Sequence, residues 1–176
     1  MKTTVWTIGH STHSWEEFIS LLQAYELQAV ADVRRLPGSR RLPQFDQDRM
    51  AKALEGLGIA YRWFPKLGGR RRARKDSPNT GWRNVSFRGY ADYLETEEFA
   101  EGLDELLGLA TQERTTLMCA EAVWWRCHRR LIADVLLLRK IEVIHILDAT
   151  HSTPHTHTPP AQVVEGKLIY PADEDK

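Results

Sequence analysis

Five short apolar stretches alternate with longer segments in which apolar residues recur at helical spacing. Each stretch is only a few residues long, which suits a buried strand better than a helix. Because single helices join these strands, parallel pairing with right-handed crossovers is favoured. The pattern therefore predicts a single α/β domain with a mostly parallel five-stranded sheet flanked by helices, a Rossmann-like three-layer arrangement, with strands at 5–8, 28–33, 59–64, 115–120 and 142–147.

Polar residues mark the points where the intervening helices begin. Ser14 and Glu17 have the spacing of a capping box ahead of the first helix. Asp46 is the predicted N-cap of the second helix, and Thr96 is the predicted N-cap of a later one. Two further helices are predicted at 87–94 and 127–139.

The regular pattern ends after Asp148. We assign residues 1–150 to the α/β domain and residues 151–176 to a linker and C-terminal tail. The segment 151–160 is rich in His, Thr and Pro, a composition typical of a mobile linker. An edge strand is predicted at 163–170.

Length and composition narrow the class of protein. A chain of 176 residues fits one domain, and its two cysteines are too few for a disulfide scaffold. No signal-peptide pattern is present, and no apolar run reaches the roughly 18 residues that a membrane helix needs. We therefore expect a cytoplasmic protein with no membrane partner, and the oligomeric state stays open.

Charge is balanced overall but unevenly distributed along the chain. Residues 1–90 carry 16 Lys or Arg and 8 Asp or Glu, whereas residues 91–176 carry 8 and 16. A basic half indicates an anionic partner, such as a phosphate ligand or a nucleic acid. The alternative is that the two halves interleave in the fold and that much of the asymmetry cancels.

Chemically useful side chains collect where the predicted strands end. In a parallel α/β sheet, ligands bind in the crevice at the carboxyl ends of the strands. We therefore expect a small ligand bearing a phosphate or carboxylate at this edge. The candidate residues are His10, Ser11, Asp32, Arg34, Gly68, Gly69, Cys119, Glu121, Cys127, His128 and Arg129.

Two pairs of these candidates are spaced to share one face of a strand. Asp32 and Arg34 lie two residues apart, so they are either site residues or an ion pair that orders the following loop. Cys119 and Glu121 have the same spacing. A cysteine in such an apolar strand is either a site residue or a small core residue.

The turn between the fourth strand and the next helix is the most informative segment. A helix N-terminus offers free N–H groups and a positive dipole end, to which Arg129 adds charge. Such a field would bind an anion and lower the pKa of the Cys127 thiol, so Cys127 or Cys119 would serve as a nucleophile. Alternatively, His128 and Arg129 are ordinary solvated helix residues.

The leading hypothesis is an enzyme-like site. Arg34 and Arg129 would neutralise the ligand's anion, and His10 and Glu121 would be the acid and base. The reaction stays undetermined.

Metal binding is a further alternative. His10, Cys119, Cys127 and His128 could supply nitrogen and sulfur ligands to zinc or iron. The adjacent Cys127 and His128 do not have the usual spacing of a structural zinc site, and no C-x₂-C pair occurs. No metal ligand is therefore assigned, and the cofactor is unknown.

The rival function is a nucleic-acid-binding module built on the basic loop 70–88. Its support is the arginine-rich run 70–75 with Trp63, Trp82 and Tyr90 nearby, because cations contact phosphates and aromatic rings stack on bases. The balanced overall charge and the absence of a known binding motif count against it.

Several motifs occur in the order seen in a bacterial and archaeal family. They are Thr7-Ile8-Gly9-His10-Ser11, Asp32-Val33-Arg34, Leu67-Gly68-Gly69, Cys119-Ala120-Glu121 and Cys127-His128-Arg129. On these residues the chain resembles the domain-of-unknown-function family numbered 488, from about Thr3 to Leu147. The resemblance implies the same fold and site residues but no substrate. Trp124 and Trp125 depart from the family pattern, in which a proline and small polar residues are expected.

Overall fold

The computed structural model describes residues 3–158 and 161–172. Its six-stranded sheet is formed by β1 Thr4–Gly9, β2 Ala29–Asp32, β3 Ala60–Trp63, β4 Thr115–Cys119, β5 Glu142–Ile146 and β6 Ser152–Pro154. The helices are α1 Trp15–Ala24, α2 Gln47–Gly56, α3 Val85–Tyr93, α4 Glu97–Ala110 and α5 Arg129–Leu138. A separate two-stranded sheet consists of β7 Gln162–Val164 and β8 Lys167–Ile169.

The sheet order is β3-β2-β4-β1-β5-β6, and β1 to β5 all pair in parallel. The prediction of a mostly parallel α/β sheet is therefore confirmed. The sixth strand, β6, pairs antiparallel with β5 and was not expected. No described helix combines the length and apolar character needed to cross a membrane.

Helices cover both faces of the sheet because consecutive strand residues point to opposite sides. Val5 and Leu117 pack with the apolar faces of α3, α4 and α5. Trp6 and Met118, the next residues in each strand, pack instead with α1 and α2. Two apolar cores thus lie on either side of one sheet, which is the three-layer arrangement.

The predicted helix starts are reproduced within two residues, and the helix expected at 87–94 is α3, which begins at Val85. Ser14 and Glu17 form the capping box of α1, and the Thr96 hydroxyl accepts the Phe99 N–H at the start of α4. Asp46 occupies the N-cap position of α2, but its carboxylate accepts the Ser39 N–H instead of a helix N–H. The helix expected from position 127 begins at 129, after a short 3₁₀ turn at 124–126.

The C-terminal segment is more ordered in its contacts than the linker prediction implied. Ser152–Pro154 forms β6, and the side chains of His155 and Thr158 are buried. The predicted edge strand 163–170 is instead the β7–β8 hairpin, which does not join the main sheet. Long-range hydrogen bonds from His155 and Tyr170 to Asp134 on α5 hold this segment against the domain. Positions 159, 160 and 173–176, which belong to the predicted linker and tail, lie outside the described residues.

Candidate functional site

A cleft of about 360 Å³ opens at the carboxyl edge of the sheet. Cys119, at the end of β4, lines it together with Cys127 and His128 from the turn before α5. The cleft is also lined by Gly69, Glu121, Leu36 and Phe87 and by four arginines, Arg34, Arg35, Arg70 and Arg126. The cleft therefore combines two thiols with a cationic wall.

A close backbone approach shapes the loop that carries the thiols. A β-carbon at Gly9 would overlap the carbonyl oxygen of Glu121, so only glycine fits at the end of β1. The loop after β4 can therefore turn across the end of β1. Its chain then returns through the 3₁₀ turn and brings Cys127 back beside Cys119.

Arg129 contacts the sulfur atoms of both cysteines. Its Nη1 donates to Cys119 Sγ at 3.0 Å and to the Glu121 carbonyl oxygen at 3.2 Å, and its backbone N–H donates to Cys127 Sγ at 3.4 Å. The side chain is 1 % exposed. Among the described residues, no carboxylate forms an ion pair with Arg129, and its Nε has no hydrogen-bond partner. The buried guanidinium thus contacts Cys119 Sγ directly, and the backbone N–H of the same residue contacts Cys127 Sγ.

The two thiols differ in acidity although both are free and buried. Burial raises the pKa of Cys119 well above its ordinary value, and its hydrogen bond with Cys127 adds to this effect. Burial also acts to raise the pKa of Cys127, but the hydrogen bond from Cys119 and the charge of Arg129 outweigh it and lower that pKa. Cys127 therefore ionises first, and Cys119 keeps its proton.

His128 completes the group around Cys127. Its Nε2 donates to the Val33 carbonyl oxygen at 2.9 Å, and its Nδ1 lies 3.5 Å from Cys127 Sγ. Burial lowers the pKa of His128, which favours a neutral ring whose Nδ1 can accept a proton. Gly69 allows this ring position, because a β-carbon there would lie 2.9 Å from Nδ1.

Asp32 and Arg34 form the buried ion pair that was one of the two readings of their spacing. Arg34 donates to both Asp32 carboxylate oxygens, at 2.9 and 2.7 Å, and to the Phe45 carbonyl oxygen at 2.8 Å. The Tyr61 hydroxyl donates to Asp32 at 2.5 Å. Arg34 lines the cleft, but these bonds occupy its guanidinium, so it is less available to a ligand than Arg35, Arg70 or Arg126.

The His10 and Ser11 side chains do not line the cleft, although the His10 N–H donates to the Cys119 carbonyl oxygen at 2.8 Å. The His10 ring stacks on Phe45 at 4.3 Å, with Nδ1 donating to the Ser11 carbonyl oxygen and Nε2 facing Arg34. Burial, with a contribution from Arg34, lowers the pKa of His10 to about 4. Ser11 lines a different hollow beside Ala122. Of the predicted candidates, His10, Ser11, Asp32, Gly68 and Arg129 are not among the residues lining the cleft.

The basic loop is tied to the domain by hydrogen bonds to one buried carboxylate. Asp92 on α3 accepts the Arg74 N–H, the Ser77 hydroxyl and the Asn79 side-chain amide. The aromatic residues considered for base stacking are packed inward: Tyr90 is fully buried, Trp82 packs on Phe87 and Tyr170, and the Trp63 indole donates to the Arg34 carbonyl oxygen. Arg70 reaches the cleft at one end of the loop, and Asn84, Ser86 and Phe87 reach it at the other.

Sequence reasoning missed a second polar cluster beneath β1 and β5. His145 Nδ1 lies 2.6 Å from Thr7 Oγ1, and its Nε2 lies 2.8 Å from His155 Nδ1. His155 Nε2 donates to Asp134 on α5 at 2.7 Å, and the Tyr170 hydroxyl donates to the same carboxylate at 2.8 Å. The available signal was His145, a polar residue in the middle of an otherwise apolar strand.

Within the part of the chain that the structure describes, no three His, Cys, Asp or Glu side chains are grouped so that they could hold a metal ion. His10, one of the four residues weighed as metal ligands, contacts Phe45 and Arg34 rather than the thiols.

The fold and the cleft together define a three-layer α/β domain with two free cysteines at the carboxyl edge of its sheet. The chain belongs to the family described as Domain of unknown function DUF488, whose model matches residues 14–136, and this confirms the resemblance. The match covers both cysteines and Arg129 but ends before His145 and His155. Neither curated proteins nor solved structures yield a match.

Proposed function

We propose that the cleft is the active site of a thiol-dependent enzyme in which Cys127 attacks an electrophilic small molecule that carries a phosphate or carboxylate. The observation that carries this proposal is the position of both sulfurs against buried Arg129, with Cys119 Sγ on its guanidinium and Cys127 Sγ on its backbone N–H. A buried cation without a counter-charge is costly, and a thiolate beside it removes that cost. Arg129 therefore favours an ionised sulfur in the resting protein.

Several neighbours of Cys127 would favour its thiolate form. The neighbouring Cys119 thiol and the charge of Arg129 lower the pKa of Cys127, and the first N–H of α5 donates to the Cys127 sulfur. His128 Nδ1 lies at 3.5 Å and accepts the thiol proton when Cys127 ionises. The same nitrogen can return that proton to a leaving group.

Exposed arginines at the opening of the cleft would favour a negatively charged ligand. Arg35, Arg70 and Arg126 are exposed there. The Arg35 guanidinium donates to the Arg70 carbonyl oxygen, which holds these two residues together. Arg126 is exposed and lines the cleft. Arg126 and Arg70 are the proposed ligand-binding cations, and Glu121 is a second acid–base candidate on the rim.

The experiment compares alkylation of the reduced protein by iodoacetate, an anion, and by iodoacetamide, which is neutral. At neutral pH, Cys127 should react with both faster than an unstructured cysteine peptide, whose pKa is about 8.5. Relative to that peptide, iodoacetate should be the preferred reagent because the arginines attract it. Peptide mapping assigns the reacting cysteine.

Arg126→Ala should lower the iodoacetate preference by about threefold to tenfold, the effect of roughly 1 kcal/mol of charge interaction near a surface. The iodoacetamide rate should change little. Arg62→Ala is the matched control, since Arg62 is an exposed arginine that pairs with Glu105 on α4. Cysteines that resist both reagents until the protein unfolds would refute the proposal.

A further inference from the structure

The proposed mechanism leaves Cys119 with no reaction of its own. Cys119 is a buried thiol, 3 % exposed, that keeps its proton while the neighbouring Cys127 ionises. Its Sγ contacts the Arg129 guanidinium, Cys127 Sγ contacts the backbone N–H of the same residue, and both cysteines line one cleft. A protonated thiol beside a nucleophilic thiolate is the arrangement that resolves an oxidised sulfur.

We infer that Cys119 is a resolving thiol and that a hydroperoxide converts the Cys119–Cys127 pair into an intramolecular disulfide. This inference rests on the proposed nucleophilic role of Cys127. It adds a reaction with a hydroperoxide, and it makes the nucleophile of the cleft sensitive to oxidation.

The reaction balances in two steps. The Cys127 thiolate attacks one oxygen of the hydroperoxide, the O–O bond breaks, and the products are Cys127 sulfenic acid and an alkoxide or hydroxide that takes a proton. Cys119 Sγ then attacks the sulfenic sulfur, the S–O bond breaks, and its thiol proton leaves with the hydroxyl as water. The dithiol loses two electrons, and the peroxide gains them.

The surroundings suit both steps. Arg129 stabilises the thiolate before attack, and His128 Nδ1 can donate the proton that the leaving oxygen takes. The cleft opening next to Cys127 admits a small peroxide. Because both sulfurs contact Arg129, a disulfide needs side-chain rotation and a closing movement of the loop between them.

The sequence provides a direct assay. Trypsin cleaves after Arg114, Arg126 and Arg129, so Cys119 lies in the peptide 115–126 and Cys127 lies in the peptide 127–129. Treatment of the reduced protein with hydrogen peroxide should join these two peptides. Iodoacetamide labelling should be lost completely in the oxidised protein and should return after reduction with dithiothreitol. Monomer mobility on a non-reducing gel shows that the bond is intramolecular.

Two variants identify the order of the steps. In Cys119→Ser, peroxide should leave a sulfenic acid on Cys127 that dimedone traps, whereas the native chain should give little adduct. In Cys127→Ser, Cys119 should stay reduced at the same peroxide dose. Dimedone adducts of equal yield in the native chain and in Cys119→Ser, with no joined peptides, would overturn the inference.

The outcome separates this inference from the proposed function. Fast alkylation of reduced Cys127 without any disulfide overturns the resolving role alone. A disulfide that forms although reduced Cys127 alkylates no faster than a free peptide overturns the nucleophile proposal instead.

Discussion

Asp134 on α5 is the residue whose loss should affect stability most clearly. Its Oδ1 accepts hydrogen bonds from His155 Nε2 at 2.7 Å, from the Thr158 N–H at 3.0 Å and from the Thr158 hydroxyl at 3.2 Å. Its Oδ2 accepts the Tyr170 hydroxyl at 2.8 Å. The carboxylate is fully buried, so it connects α5 with three positions of the C-terminal segment.

Replacing this carboxylate in Asp134→Ala leaves four buried donors without their acceptor. Each unsatisfied group costs about 1–3 kcal/mol, but the segment can relax and expose some of them to water. Because of that relaxation we expect a loss of about 3–5 kcal/mol, below the sum of the four costs. For a chain of this length, that corresponds to a Tm lower by roughly 6–20 °C.

The measurement is urea unfolding followed by tryptophan fluorescence, together with amide hydrogen exchange. The Tyr170 and Gly81 amides should lose protection, because Tyr170 pairs with the loop through Asn79 and Gly81. Asp104→Ala is the control, since it removes an exposed partner of Arg139 and should cost at most about 1 kcal/mol. A similar small loss in both variants, with the amides still protected, would refute the reasoning.

Two further predictions concern the edge of the sheet. Burial lowers the pKa of His10 from 6.5 to about 4. Between these pH values the unfolded chain binds a proton that the folded chain does not. The free energy of unfolding should therefore fall as pH falls through this range. In His10→Asn, the slope of unfolding free energy against pH from urea titrations should be shallower by up to about 1.4 kcal/mol per pH unit, and an unchanged slope would contradict the burial argument. Gly9→Ala should displace the loop at Glu121, cost about 3 kcal/mol and slow Cys127 alkylation, whereas Gly108→Ala, with no atoms near its β-carbon, should be neutral or stabilising. Equal effects of the two alanines on urea unfolding would show that the Gly9 contact is not restrictive.

Much of the fold follows from local signals. The strand and helix predictions used apolar spacing and caps such as Ser14 and Glu17, which depend on neighbouring residues only. The C-terminal segment has no such signal. Buried His155 contacts Asp134, twenty-one positions earlier in the chain, and local periodicity gives no signal for a bond of that range.

The candidate site was partly predictable for the same reason. Parallel strands place their carboxyl ends at one edge, so Cys119 and the turn containing Cys127 were expected together. His10 was expected with them, but its ring packs toward Phe45 on the α1–α2 side. The end of a strand specifies the edge where a residue lies, and the tertiary packing decides on which side of the sheet its ring is held.

The two buried arginines show most plainly what the sequence determined and what it left to the fold. Arg34 has its counter-ion two residues away, so the sequence alone indicated the Asp32 pair, one of the readings weighed for this spacing. Arg129 has no such neighbour, and its partners, Cys119 Sγ and the Glu121 carbonyl oxygen, are supplied by the strand and loop before it. Charge and residue type are properties of the sequence. The folded chain alone sets the distances between a buried guanidinium and its acceptors. These distances decide which thiol ionises, because electrostatic and hydrogen-bond energies fall off within a few ångströms.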